Sequence, residues 1–176
     1  QLNALKAYQL QAIDSQDMAT LTNQVVSSFS SDQIARLTSG QFAALTLTQL
    51  RALRSDQIAN LPANFIQTLD SSEIASLTKA QISALSASQI ITLGTTGIVA
   101  LTPEIFSALS TAVIRNLTNA QISAITQAQI QSMTTGQTSS LLNKQIASIT
   151  TADIKVLTAD QAIALSTSQM DSLSTT

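Results

Sequence analysis

Thr78-Lys79-Ala80-Gln81-Ile82-Ser83-Ala84-Leu85 and Thr118-Asn119-Ala120-Gln121-Ile122-Ser123-Ala124-Ile125 are two copies of one eight-residue phrase, and Ser86 to Leu93 (SASQIITL) is a third. The phrase, roughly [Ser/Thr]-x-x-Gln-Ile-x-Ala-Leu, runs through all 176 residues without an insertion or deletion. Its register reaches back to Gln1-Leu2-Asn3-Ala4-Leu5 and forward to Ser174. A short fixed period of this kind specifies a repeat architecture in which each unit packs on its neighbours. The expected organisation is one continuous octad array over residues 1–176, itself part of a longer array.

With Thr78 as position one, position five is apolar in 21 of 22 octads, counting Ala162, and Thr138 is the exception. Position eight is apolar in all 22, and 17 of these are Leu. The apolar spacing therefore alternates three and five. A strand keeps same-face residues at even spacing, and positions five and eight differ in parity. A continuous α-helix turns about 100° per residue, so the apolar pair would drift by roughly 80° per octad. A heptad supercoil absorbs a drift of only about 20°. A short helix in each octad, followed by a change of direction, meets both constraints.

Position one supports that reading. It is Ser, Thr or Asp in 17 of 22 octads, the residue types that accept a hydrogen bond at a helix start. Gln or Glu three residues later completes a capping box, as in Thr78-x-x-Gln81, Ser86-x-x-Gln89 and the acidic variant Asp70-x-x-Glu73. Pro103 follows a cap residue directly, Pro62 occupies a position one, and Gly40, Gly94, Gly97 and Gly136 all fall in positions one to four. The expected fold is an all-α solenoid, or superhelix, of short N-capped helices, one per octad. A β-solenoid is the alternative, disfavoured by parity and by the presence of only 4 glycines.

Position four carries a second period. Gln1, Gln41, Gln81, Gln121 and Gln161 form one forty-residue column, and Gln9, Gln49, Gln89, Gln129 and Gln169 form another. Apolar residues replace Gln at Val25, Phe65 and Ile105, also forty apart, and Val113 and Asp153 form a further forty-residue pair of replacements. In one reading, forty residues is the unit of the last gene duplication. In the other, five octads make one superhelical turn, the glutamine columns are amide ladders, and Val25, Phe65, Ile105 and Val113 line a lateral packing seam, against another chain or as a bulge in the core.

Composition narrows the function. The chain is 44% hydrophobic and 10% charged, with a formal net charge of -2 and no cysteine or histidine. Its basic residues are dispersed, which argues against nucleic acid. Its apolar runs fall far short of the ~20 residues of a membrane helix. Without histidine the usual general base and the commonest metal ligand are missing. The close acidic pairs Asp14/Asp17 and Asp70/Glu73 sit at positions one and four, where capping accounts for them. Arg51 and Arg54 read as a solvated edge, and among the aromatics Tyr8 and Phe65 alone fall outside the core positions. No catalytic residue, cofactor or metal ligand is expected.

Stretches such as LTKAQISALS (77–86) and LTNAQISAIT (117–126) resemble the "LTxxQIxAL" tracts of very large repetitive bacterial surface or exported proteins. The resemblance spans the chain and implies an extracellular scaffold, adhesin stalk or sheath component at the bacterial cell surface; it brings no functional residues with it. The expected role is structural, without catalysis. The expected partners are copies of the chain itself, end-to-end or lateral, with no nucleic acid, membrane insertion or small-molecule substrate. The alternative, a solenoid that binds a protein, peptide or glycan, fits less well because solvent positions two, three and six are mostly small and uncharged.

Overall fold

The computed structural model of the chain describes residues 5–173. Among these there is no strand, and twenty-one α-helices of four to seven residues follow the octads one for one, from Ala7–Gln11 to Thr167–Leu173. The expected all-α, N-capped architecture is the observed one.

Each octad is built the same way. In 78–85 the backbone at Thr78 is extended (φ -78°, ψ 158°), the helix occupies Lys79–Ala84, and Leu85 returns to extended geometry (φ -67°, ψ 136°). The Gln81 N–H donates to Thr78 Oγ1 at 3.3 Å, and the Thr78 N–H donates to Gln81 Oε1 at 2.8 Å. At the other end the Leu85 N–H closes onto the Ile82 carbonyl at 3.1 Å. Where the helix runs to position seven, as here, two extended residues between helices turn the chain.

Helices this short are marginal in water and form only when packed. The packing comes from positions five and eight: Ile34, Ile58, Ile74, Ile82, Ile90 and Ile98 are all fully or almost fully buried, as are Leu53, Leu77 and Leu101. The chain divides after Leu85 into two compact units, and the octad register runs through the division. Within the first unit, the helix Asn23–Ser28 packs on Leu47–Ala52, and Ser55–Ala59 packs on Lys79–Ala84, three octads apart in each case. Within the second, Gly94–Ala100 packs on Asn119–Ala124, and Pro103–Ser107 on Gln127–Ser132, again three octads apart. Each unit is thus a solenoid with its own apolar interior.

One junction departs from the pattern. Leu93 is helical (φ -62°, ψ -17°) rather than extended, and the chain turns instead at Gly94, whose φ is 65°. That left-handed conformation costs a residue with a Cβ about 1–2 kcal/mol. Gly136 is different: it lies in the helix Thr135–Ser140, and an added Cβ would meet nothing closer than Thr134 Oγ1 at 3.8 Å. Gly94→Ala is therefore expected to lower stability by about 1 kcal/mol. Gly136→Ala is expected to raise it by about 0.5–1 kcal/mol, through helix propensity. Thermal unfolding of the two variants checks the opposite signs.

Candidate functional site

The recurring chemistry of the chain is the glutamine at position four, and its side chain does two things at once. Its Oε1 accepts from the N–H of its own cap residue. In the Ser30–Gln33, Thr46–Gln49 and Thr126–Gln129 boxes that bond measures 2.8, 2.8 and 2.9 Å. Its Nε2 then donates to two backbone carbonyls far back in the chain. Gln41 reaches Leu10 and Ile13 at 2.8 Å each, and Gln129 reaches Ile98 at 2.8 Å and Leu101 at 2.7 Å. The acceptors lie 31 and 28 residues earlier, at positions five and eight of the octad four places before.

This stitch recurs in both units. In the first, Gln49 joins Met18 and Leu21, Gln57 joins Val26 and Phe29, and Gln81 joins Leu50 and Leu53. In the second, Gln137 joins Phe106 and Leu109, Gln145 joins Ile114 and Leu117, and Gln161 joins Ile130 and Met133. Gln121 donates chiefly to Ile91 at 3.0 Å, with Ile90 and Gly94 farther off at 3.5 and 3.4 Å, the last displaced by one residue from the usual acceptor because the junction at Gly94 is displaced. With packing three octads apart and stitches four octads apart, a turn of either unit closes between three and four octads. The expectation of five octads per turn, with stacked glutamine ladders forty residues apart, does not hold. The columns join amide to backbone, not amide to amide. Gln1 of the first column lies outside the described residues.

A buried primary amide is costly unless its donors and acceptor are all engaged. Gln57 is 0% exposed and Gln41 1%, and among the described residues no buried side-chain nitrogen or oxygen lacks a partner. The cap hydroxyl is the more dispensable part of the box. Arg54 and Leu142 stand at position one without a hydroxyl, and their N–H groups still donate to Gln57 and Gln145 at 2.7 and 2.8 Å.

The four residues assigned to a seam occupy the same interior position. Phe65 is 4% exposed, Ile105 8% and Val113 7%, while Val25 is half-buried. They fill the space that a glutamine amide takes elsewhere, which fits the reading as a bulge in the core; a seam against another chain would require them uncovered. Phe65 lies against Phe42 with the rings stacked, 4.6 Å between centroids and 13° between planes. Its octad begins with Pro62, which has no N–H for a glutamine Oε1 to accept. There a glutamine would be half satisfied, and phenylalanine needs no partner.

The acidic pairs are caps. Asp14 Oδ1 accepts from the Gln16 N–H at 2.8 Å, Asp70 Oδ1 from Ser72 and Glu73 at 2.7 and 2.8 Å, and Glu73 Oε2 from the Asp70 N–H at 2.8 Å. Tyr8 is exposed. Arg54 is not a free edge. Its Nε and Nη2 hold the two oxygens of Asp56 at 3.0 and 2.9 Å, and its Nη1 donates to the Phe29 and Ser27 carbonyls. Ser31, 25 residues earlier, donates to the same carboxylate at 2.6 Å. The Arg54 guanidinium and then the Ser31 hydroxyl hold the Asp56 carboxyl down at about 2. Nothing in the octad consensus marks this cluster, because its members sit at variable positions of different turns.

The stitch predicts a sharp difference between glutamines. Gln129→Glu keeps the acceptor but loses both donors, and is expected to cost about 2–3 kcal/mol. Gln131→Glu, at exposed position six, is expected to stay within about 0.5 kcal/mol of the parent. Equal unfolding midpoints for the two variants would refute the assignment. For Asp56 the folded carboxyl titrates below its ordinary 3.8. Its contribution is therefore complete above that value and lost as pH falls toward 2. A carboxyl NMR titration is expected to show that low midpoint, and Arg54→Gln to move it up.

The model of a family described as the ALTTAQ repeat matches the chain twice, over residues 10–47 and 98–135. Its six letters read positions seven, eight, one, two, three and four of the octad, so it ends on the stitching glutamine, as in Ser76 to Gln81 (SLTKAQ). No curated protein gives a significant match to the chain. The chain is a repeat protein of short helical units.

Proposed function

We propose that the chain is a non-catalytic structural module, a repetitive scaffold, stalk or filament segment at the bacterial cell surface whose partners are copies of itself. The observation that carries this reading is where the repeated chemistry goes. Both polar features that recur along the chain are engaged with its own backbone: the cap hydroxyls, on mostly exposed residues, accept from a helix N–H, and the buried glutamine amides bond to backbone carbonyls. A binding or catalytic repeat directs its recurring polar groups outward, toward a ligand. Here positions two, three and six, which face solvent, are mostly small and differ from octad to octad.

Among the described residues no group of three or more His, Cys, Asp and Glu is placed to hold a metal ion. No described helix is long and apolar enough to cross a membrane. The surface location rests on the resemblance to LTxxQIxAL tracts.

Electron microscopy of the purified chain across a concentration series tests self-assembly. Filaments of constant width that lengthen with concentration are the expected result. Particles of a single size at every concentration would overturn self-association and leave a spacer role.

A further inference from the structure

We propose that position four determines where each unit opens first: octads with a carboxylate there, which neither donates to a carbonyl nor fills the interior as Phe65 and Ile105 do, are yield points, and 150–157 is the foremost of them. This property belongs to the fold and does not depend on the scaffold role proposed above.

In 150–157 the stitching residue is Asp153. Its carboxylate is turned onto its own cap, accepting from Thr150 Oγ1 at 2.6 Å, and has no N–H to offer a distant carbonyl. The acceptors a glutamine would reach by the 31 and 28 residue spacing are Ile122 and Ile125. The packing of this octad is loose. Its helix, Thr151–Ile154, is no shorter than the stitched Asn143–Ile146, but none of its residues is buried. Ile154, Val156 and Leu157 are half-buried, whereas the flanking octads hold Ile146, Ile149 and Leu165 buried. A small apolar cavity, about 10 Å³, lies against Leu157, Ile125 and Ile149. In the second unit, helices three octads apart pack closely in every pair except Gln127–Ser132 with Thr151–Ile154.

The octad lies near the end of its unit, where Ala162 and Met170 at position five are exposed, yet Gln161 and Gln169 beyond it are stitched and buried, which Asp153 is not. The first unit has a milder counterpart at Glu73, whose octad keeps Ile74 and Leu77 buried. It keeps the bond from the Asp70 N–H but donates nothing toward Phe42 and Leu45, and is half-buried where glutamines are buried. In a linear array each repeat is held by its neighbours alone, so opening starts where that coupling is weakest. A chain under load would extend first at positions written into its sequence.

Amide hydrogen exchange of the full chain, read by mass spectrometry, tests this. Within 118–165 of the parent, the fastest exchange is expected at 150–157. Asp153→Gln is expected to slow that octad about tenfold by adding two hydrogen bonds. Gln145→Glu is expected to make 142–149 exchange fast as well. Glu73→Gln is expected to slow 70–77 in the same way, which keeps the test open if one variant folds poorly. Protection of 150–157 equal to its neighbours in the parent, or unchanged exchange in correctly folded Asp153→Gln and Glu73→Gln, would overturn the proposal.

Discussion

A buried glutamine amide must satisfy one acceptor and two donors, and every other feature of the two units follows from how it does so. The oxygen is engaged at the start of its own helix, which pins the side chain. The nitrogen then points at the end of the helix four octads earlier, where the position-eight carbonyl lies beyond the helix and the position-five carbonyl, already bonded to its own position-eight N–H, takes a second bond. One side chain therefore caps the start of one helix and the end of another. Asparagine lacks the reach, glutamate lacks the hydrogens, and methionine has the length but no amide to donate.

This explains how helices of four to seven residues persist. Burial of isoleucine and leucine supplies most of the driving force, but apolar contact is non-directional and tolerates sliding of one turn over the next. The stitch is directional and allows one register. It sets the turn between three and four octads in each unit, and where Gly94 moves a junction by one residue the bond from Gln121 moves with it. Where no glutamine is present the interior is either filled by a large apolar group, as at Phe65 and Ile105, or left loose, as at Asp153.

Much of the fold was legible in the octad: the short helices, their caps, and the burial of positions five and eight all follow from local spacing and residue type. The acidic pairs were legible for the same reason, since capping is a contact over three residues. The turn was not. A forty-residue recurrence is visible in the glutamine columns, but the contacts that define a turn span 24 to 31 residues and leave no period of their own. Capping also accounted for one half of each glutamine, its oxygen, so nothing in the pattern demanded a partner for the nitrogen. Phe65, Ile105 and Val113 looked like surface residues because position four is usually polar, whereas its polarity is that of a satisfied interior. The link from Arg54 and Ser31 to Asp56 depends on residues outside the consensus, brought together by the turn alone.

The most direct test is NMR of the glutamine carboxamides in the intact chain. Contacts from the Gln129 Nε2 protons to Ile98 and Leu101, and from Gln41 to Leu10 and Ile13, are expected, with side-chain amide exchange far slower than for exposed Gln131. Fast-exchanging carboxamides, or contacts between glutamines forty residues apart such as Gln89 and Gln129, would contradict the stitch and the fold built on it.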